Sequence, residues 1–270
     1  VLLLKRKNFF KHICNCFIER IKEKIHGWDG ESSDKNSLLS ILDKQEKWRD
    51  ALKLKKFSIG NYHGDLNYRN ILIVQEGENI FPKLIDFASI GKGKSPAKDW
   101  AKLEREIKFR FLRDIMSDKN AFRETLKELE TACDDRKPLP ANNPHISEAQ
   151  RLISLIRREY SVKTNNISDT PHLEYLFFLF YTTLAFIDHE DVKGQPVIQN
   201  SVIDSANRIF KQINKLIDSG RLDYKYPGIK EIEPVSSVIA QPLTTPSMPL
   251  VIPEEYKNWI INRCKNMDIE

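Results

Sequence analysis

The segment from Tyr62 to Ala88 constrains this chain most, because it reads as two strands folded back on one another with oxygen-bearing residues gathered at one end. Ile71 to Val74 and Ile80 to Ile85 have strand composition. The intervening Gln75-Glu76-Gly77-Glu78-Asn79 is rich in turn formers, so the spacing predicts a β-hairpin. Pro82 lacks a backbone donor and belongs on a sheet edge. Asp65 precedes the first strand, Asn70 stands at its entry and Asp86 at the end of the second. Antiparallel pairing brings all three to the same end of the hairpin.

Two carboxylates and an amide oxygen in one place suit phosphoryl transfer to a hydroxyl. That reaction needs a carboxylate to orient or deprotonate the acceptor, and hard oxygen ligands to hold magnesium against the phosphates. A lone aspartate in a turn is more often a cap or a turn former. The argument rests on His63, Asp65, Asn70 and Asp86 occurring together at this spacing.

The stretch His63-Gly64-Asp65-Leu66-Asn67-Tyr68-Arg69-Asn70, followed by Leu84-Ile85-Asp86-Phe87-Ala88, resembles the aminoglycoside phosphotransferase, choline kinase and homoserine kinase group. The loop of that group reads H-G-D-x-x-x-x-N and its metal aspartate follows an isoleucine. The resemblance implies an α+β, mainly α-helical fold: a protein kinase-like C-terminal lobe with a catalytic β-hairpin on a helical bundle. It implies Asp65 as catalytic base, Asn70 and Asp86 as metal ligands, Mg2+ and ATP as cofactors, and a small-molecule hydroxyl as acceptor. His63 then braces the loop, and Asp99, thirteen residues past Asp86, ties the helix it begins back to that loop. Gly64 stands where eukaryotic protein kinases carry an arginine, and no A-P-E motif follows Asp86. A small-molecule type of kinase lobe is therefore expected over a protein kinase.

A narrower resemblance lies in Leu84 to Gly93 with Asp99-Trp100-Ala101-Lys102-Leu103-Glu104. It looks like the kinase-like ternary-complex-associated domains that precede NTPase modules in bacterial conflict proteins. The tail from Tyr256 to Ile269 is similar to the lead-in of NACHT-type NTPase domains. Because fold does not fix function, a second expectation stands beside the enzyme: a non-catalytic recognition or scaffold module of a multidomain bacterial defence or signalling protein.

Only 62 residues precede His63, and they hold no glycine-rich loop. A five-stranded nucleotide lobe with its hinge takes roughly a hundred residues, so the nucleotide-binding lobe is expected to be largely absent. Lys5 with Glu19 as helix partner reads as a phosphate-gripping pair, or else, better supported, Val1-Leu2-Leu3-Leu4 is an apolar terminus. Apolar residues at helical spacing predict helices over 8–26 and 37–53, then over 97–114, 119–132, 147–161, 171–188 and 200–219. Gly91-Lys92-Gly93 reads as a loop. The organisation expected is N-terminal helices over 1–57, the catalytic lobe over 58–230, a Pro/Ser/Thr-rich linker over 231–249 and the start of a further, truncated module over 250–270. Opening on valine, the chain reads as a piece of something longer or an interrupted gene.

The 43 basic and 38 acidic residues leave a net charge of +5 and are interspersed, which gives no polyanion-binding signature, and no nucleic-acid recognition motif accompanies the charge. The basic run from Lys92 through Lys94, Lys98, Lys102, Arg105, Lys108 and Arg110 to Arg113 reads first as a solvated helix face, and second as an attractor for an anionic substrate. Cys14, Cys16, Cys133 and Cys264 lack metal-ligand spacing, so neither a zinc site nor a disulfide framework is expected and a reducing cytoplasm fits. The most apolar segment, Tyr175 to Ile187, is too short for a bilayer span of about 20 residues. It reads as a buried helix. Partners expected are the acceptor and either an NTPase module or the missing lobe.

Overall fold

The computed structural model describes residues 57–76, 79–116, 118–135, 144–165 and 167–222, preceded by isolated residues between 19 and 48. Those isolated residues, including Ile25, Leu42 and Trp48, are helical. The expected linker over 231–249 and the tail over 250–270 lie outside the described residues.

The strands form two nested antiparallel pairs. β2 (Ile71–Glu76) and β3 (Asn79–Leu84) make the inner hairpin, in a register that sets Ile71 opposite Leu84 and Ile73 opposite Pro82. With only two strands in that sheet, both are edges, and Pro82 costs no ladder bond that a third strand would need. Outside them β1 (Gly60–Tyr62) pairs with β4 (Gly91–Lys94), Tyr62 facing Gly91. The expected loop at Gly91-Lys92-Gly93 is thus a strand. Its sequence has no strand composition, and the pairing depends on small size: a Cβ on Gly91 would stand 2.6 Å from Cζ of the Tyr62 ring, which lies across it. Nesting closes both ends of the segments 63–70 and 85–90, so the outer pair holds together the two stretches that carry the polar residues.

The remainder is helical: α1 (Ala97–Glu106), a π-helical segment (Ile107–Phe111), α2 (Leu112–Ile115), α3 (Lys119–Asp135), α4 (Pro144–Thr164), α5 (Pro171–Leu184) and α6 (Pro196–Asp218). This is an α+β, mainly helical fold. Proline opens α5 and α6, where its missing N–H is one that a helix leaves unpaired in any case. The Ser95 hydroxyl accepts the Ala97 N–H at 3.1 Å and caps α1. In the π segment four consecutive residues, Ile107 to Arg110, are buried, which a regular helix with one solvent face does not allow.

α5 is the centre of the core, packed on α1 and α6. Apart from the half-buried Phe178 its apolar residues are buried, and none of the described helices is long and apolar enough to cross a membrane. Trp48 sits against this helix, its ring 5.2 Å from Phe180 and 5.1 Å from Phe210, and its Nε1–H donates to Asn214 Oδ1 at 2.8 Å. One carboxylate interrupts the apolar surface of α5. Glu174 accepts from the Ser58 N–H at 3.0 Å, from the Ser58 hydroxyl at 2.8 Å and from the Ser95 hydroxyl at 2.5 Å. These bonds fasten the start of β1 and the start of α1 to the same point on the bundle. Burial raises the Glu174 carboxyl above its usual value, against the lowering effect of these donors.

Candidate functional site

The loop between β1 and β2 is shaped by its own asparagines. Asn67 Oδ1 accepts the Arg69 N–H at 3.0 Å and caps the single 3-10 turn Tyr68–Asn70. Asn67 Nδ2 and Asn70 Nδ2 both donate to the Asp65 carbonyl oxygen, at 3.0 and 2.8 Å. Asn70 Nδ2 also lies 3.4 Å from Asp65 Oδ2. Asp65 and Asn70 are therefore joined directly.

The second stretch is tied to the first through backbone and ring. The Ile85 N–H donates to the Asn70 carbonyl at 3.0 Å, extending the β2–β3 ladder by one bond. Asp86 follows at once, so its backbone lies at the same end of the hairpin as Asn70. It adopts φ 61° and ψ 62°, and no other described non-glycine residue has a positive φ. That conformation costs about 1–2 kcal/mol for a residue with a Cβ and is found where surrounding structure holds a functional group in place. The 3-10 turn Phe87–Ser89 comes next. His63 Nε2–H donates to the Ile85 carbonyl at 2.8 Å, and its ring lies 5.1 Å from the Phe87 ring. A carbonyl can only accept, so the His63 proton is on Nε2. Its buried Nδ1 has no hydrogen-bond partner.

The first turn of α1 closes the arrangement. Asp99 Oδ2 accepts the His63 N–H at 2.5 Å and Asp99 Oδ1 the Gly64 N–H at 3.0 Å. The carboxylate is 5 % exposed, and its charge complements the positive end of the helix. Gly64 is required here twice over. Its φ is +86°, and a Cβ would stand 2.8 Å from Ser89 Cβ. An arginine at this position has no room.

Lys102 lies one turn along α1 from Asp99 and forms an ion pair with Asp65 Oδ1. Burial pushes the Asp65 carboxyl up, but the Lys102 hydrogen bond and charge, helped by Asn67 and Asn70, outweigh it and hold the group below its ordinary value. Asp65 is thus an ionised carboxylate, with 43 % of its side chain exposed. Sequence reasoning gave neither Asn67 nor Lys102 a role of its own. A signal existed for each: asparagine ahead of a tight turn, and a lysine three residues after an aspartate expected to face the loop.

Three further members of the basic run do not lie on a solvated face. Arg105, Lys108 and Arg110 are 6, 1 and 4 % exposed. Glu106 binds both Arg105 and Arg110, the latter at 2.6 Å, and Arg110 reaches Asp191 at 2.8 Å and His189 Nε2 at 3.0 Å. The side chains of Arg105 and Arg110 lie over the Phe186 ring at 4.7 and 5.4 Å. On the opposite side of the helix Glu104 accepts from Lys108 at 2.7 Å, from Arg157 at 2.7 and 2.8 Å and from the Tyr175 hydroxyl at 2.7 Å.

Asp65 and Asn70 are joined by hydrogen bonds, His63 and Asp99 are bonded to the backbone around them, and Asp86 stands at the hairpin end beside them. The donor set offered to a cation is oxygen only. With Asn70 Nδ2 spent on Asp65, Asn70 Oδ1 is left to accept, and the Asp86 carboxylate is exposed. Hard oxygen donors of this kind fit magnesium. A family model described as ternary complex associated domain 9 matches residues 35–184, more than half of the chain. The chain belongs to the ternary complex associated domain 9 family. No curated protein and no solved structure matches it significantly. Within this ternary complex associated domain the matched residues include every residue of the site from His63 to Lys102.

Proposed function

We propose that this domain carries a kinase-like phosphotransferase site, using magnesium and ATP to phosphorylate a hydroxyl of a small molecule. The observation that supports it most is the joining of Asp65 to Asn70 at the hairpin end where Asp86 follows, clamped from behind by Asp99. Asp65, kept ionised by Lys102, orients the acceptor hydroxyl and takes its proton as the acceptor oxygen bonds to the γ-phosphorus. The bond between that phosphorus and the bridging oxygen of ADP breaks. Magnesium held by Asn70 Oδ1 and the Asp86 carboxylate would neutralise the phosphates. His63 and Asp99 position the loop and touch no substrate.

The test uses manganese as a spectroscopic stand-in for magnesium, titrated into the chain with a non-hydrolysable ATP analogue and followed by electron paramagnetic resonance. Asn70→Ala and Asp86→Asn should each weaken manganese binding at least tenfold, and Asp65→Asn should leave it within about twofold while abolishing turnover of ATP. Equal manganese affinity in the wild type and in Asn70→Ala/Asp86→Asn would refute the site.

The description of the family as a ternary complex associated domain supports a second reading, a recognition or scaffold module, which the resemblance of the tail over 256–269 would place in a multidomain bacterial NACHT-type protein. The hairpin suits it: Ile73 and Leu84, on one face of β2–β3, are 70 and 41 % exposed. Wild-type and Asp65→Asn chains that support assembly of the full protein equally well, with no phosphoryl transfer by either, would select this reading.

A further inference from the structure

A cavity of about 1220 Å3 lies between α3 and α6, with Arg157 of α4 and His172 and Leu176 of α5 completing its wall. None of Asp65, Asn70 and Asp86 lines it. Seven of its lining side chains are Lys or Arg and four are Asp or Glu. Each of the four carboxylates is matched by a cation within the same lining. Asp204 pairs with Arg123 at 2.6 Å and Glu124 with Lys127 at 3.8 Å. Glu130 meets Arg208 at 3.5 Å, and Asp134 meets Arg157 at 3.2 Å. Three cations remain: Lys211, Lys215 and Arg221, all exposed and none with an acidic partner among the described residues.

A cation in the last turn of a helix also complements its dipole, by about 0.3–1 kcal/mol, and that accounts for Lys215. It does not account for Lys211, seven residues before the helix ends at Asp218, or for the meeting of all three at one concavity. Asn207 supplies an independent observation. Its Oδ1 is buried in this wall with no hydrogen-bond donor, and an unsatisfied buried acceptor costs about 1–3 kcal/mol until something donates to it. Asn207, Lys211 and Lys215 recur every four residues on α6, so they form one ridge along the cavity.

We propose that this cavity is a second ligand site, binding a small phosphorylated molecule whose phosphates engage Lys211, Lys215 and Arg221 and whose hydroxyl or amino group donates to Asn207 Oδ1. A cavity slightly larger than the roughly 300–1,000 Å3 of ordinary ligand pockets accepts a molecule of nucleotide size. Three cations gathered at a concavity suit a compact polyanion. A nucleic-acid backbone needs charge strung along an extended stripe. The site is independent of the hairpin and of any chemistry there.

Isothermal titration of the full chain with sodium tripolyphosphate and with ATP, in EDTA so that no divalent metal bridges either one to the hairpin, tests the proposal. Saturable binding of one equivalent is expected, ATP binding more tightly because its ribose hydroxyls and adenine amino group add donors for Asn207 that a bare phosphate chain lacks. The triple variant Lys211→Gln/Lys215→Gln/Arg221→Gln, changed only at exposed positions, should melt like the wild type and bind both anions at least tenfold more weakly. Asn207→Leu should weaken ATP and leave tripolyphosphate unchanged. The proposal is overturned by absence of saturable binding, by unaltered affinity in the triple variant, or by polyglutamate binding as tightly as tripolyphosphate, which would mark a surface for acidic protein. Loss of binding in Asp86→Asn in place of the triple variant would put the anion at the hairpin and overturn it equally.

Discussion

Asp99 accepts the backbone N–H of Gly64 at 3.0 Å, from the first turn of α1 across to a loop 35 residues earlier in the chain. The same carboxylate takes the His63 N–H, so two consecutive amides are fixed by one side chain. An asparagine keeps one acceptor oxygen and turns a donor toward the other amide. Hydrogen bonds to a charged group contribute about 1.5–3 kcal/mol. Asp99→Asn should therefore lower unfolding free energy in urea by about that amount and speed amide hydrogen exchange at His63 and Gly64. Protection at both amides equal to that of the wild type would show that the loop is held by other means.

Gly64 and Gly194 separate strain from collision. Both have positive φ, +86° and +74°, but a Cβ at Gly194 meets nothing within 4 Å whereas one at Gly64 meets Ser89. Gly194→Ala should cost the conformational strain alone, about 1–2 kcal/mol. Gly64→Ala should cost more, about 3 kcal/mol or above, as the loop and the Phe87–Ser89 turn are forced apart. Gly60→Ala, with negative φ and open space, is the control and should be nearly neutral. Urea unfolding of the three variants checks the order.

The hairpin and the helical stretches were legible because apolar spacing of two or of three to four residues carries them, although 97–114, expected as one helix, is interrupted by the π segment Ile107–Phe111, and Asp65, Asn70 and Asp86 fall at one hairpin end by pairing alone. β4 was not legible: Gly91-Lys92-Gly93-Lys94 has no apolar alternation, and it pairs because the Tyr62 ring covers a residue without a side chain. The buried cations were misread for a different reason. Lys108 and Arg110 follow Glu104 and Glu106 by four residues, a spacing that a wet helix face also shows, and only their further partners Glu130 and Asp191, on other elements, set them apart from one. Periodicity reports on one helix at a time and is blind to a charge brought by another. Lys102 escaped notice as a partner of Asp65 in the same way.

Cys133 is 1 % exposed, and burial pushes its thiol up to about 12. The thiolate is the reactive form, so at pH 8 almost none is present and no reagent reaches it. Native chain treated with iodoacetamide at pH 8 should yield an unmodified Cys133 peptide by mass spectrometry, and the same peptide should be fully alkylated in urea. Alkylation of Cys133 in the native chain at a rate near that in urea would contradict the packing of α3.

Glu104 sets the acid limit of the fold. It is fully buried, and although burial alone would raise its carboxyl, the charges of Arg157 and Lys108 and their hydrogen bonds hold it well below the usual carboxylate range. A carboxyl depressed on folding contributes stability that is fully present above its unfolded value, near 4.3, and is lost as pH falls toward the folded value. Glu174 works in the opposite sense. Burial raises its carboxyl, so its contribution is present at low pH and declines as pH rises from the unfolded value through the folded one. Unfolding free energy of the wild type should therefore fall on acidification below about pH 4.5, despite the gain from Glu174. Glu104→Gln removes the carboxylate that Lys108 and Arg157 share and leaves them only Glu130 and Asp134, and breaking a buried pair costs about 3–5 kcal/mol. Its cost should be largest at neutral pH and shrink as the pH falls below the unfolded value, where protonation of Glu104 in the unfolded chain erodes the wild type's advantage. In Glu174→Gln the decline with rising pH should be missing, so its cost relative to wild type should shrink as pH rises above the unfolded value near 4.3. Urea unfolding of the three proteins from pH 3 to pH 8 measures both trends, and a Glu104→Gln cost that stays constant over this range would mean that Glu104 is not the ionised centre of the cluster.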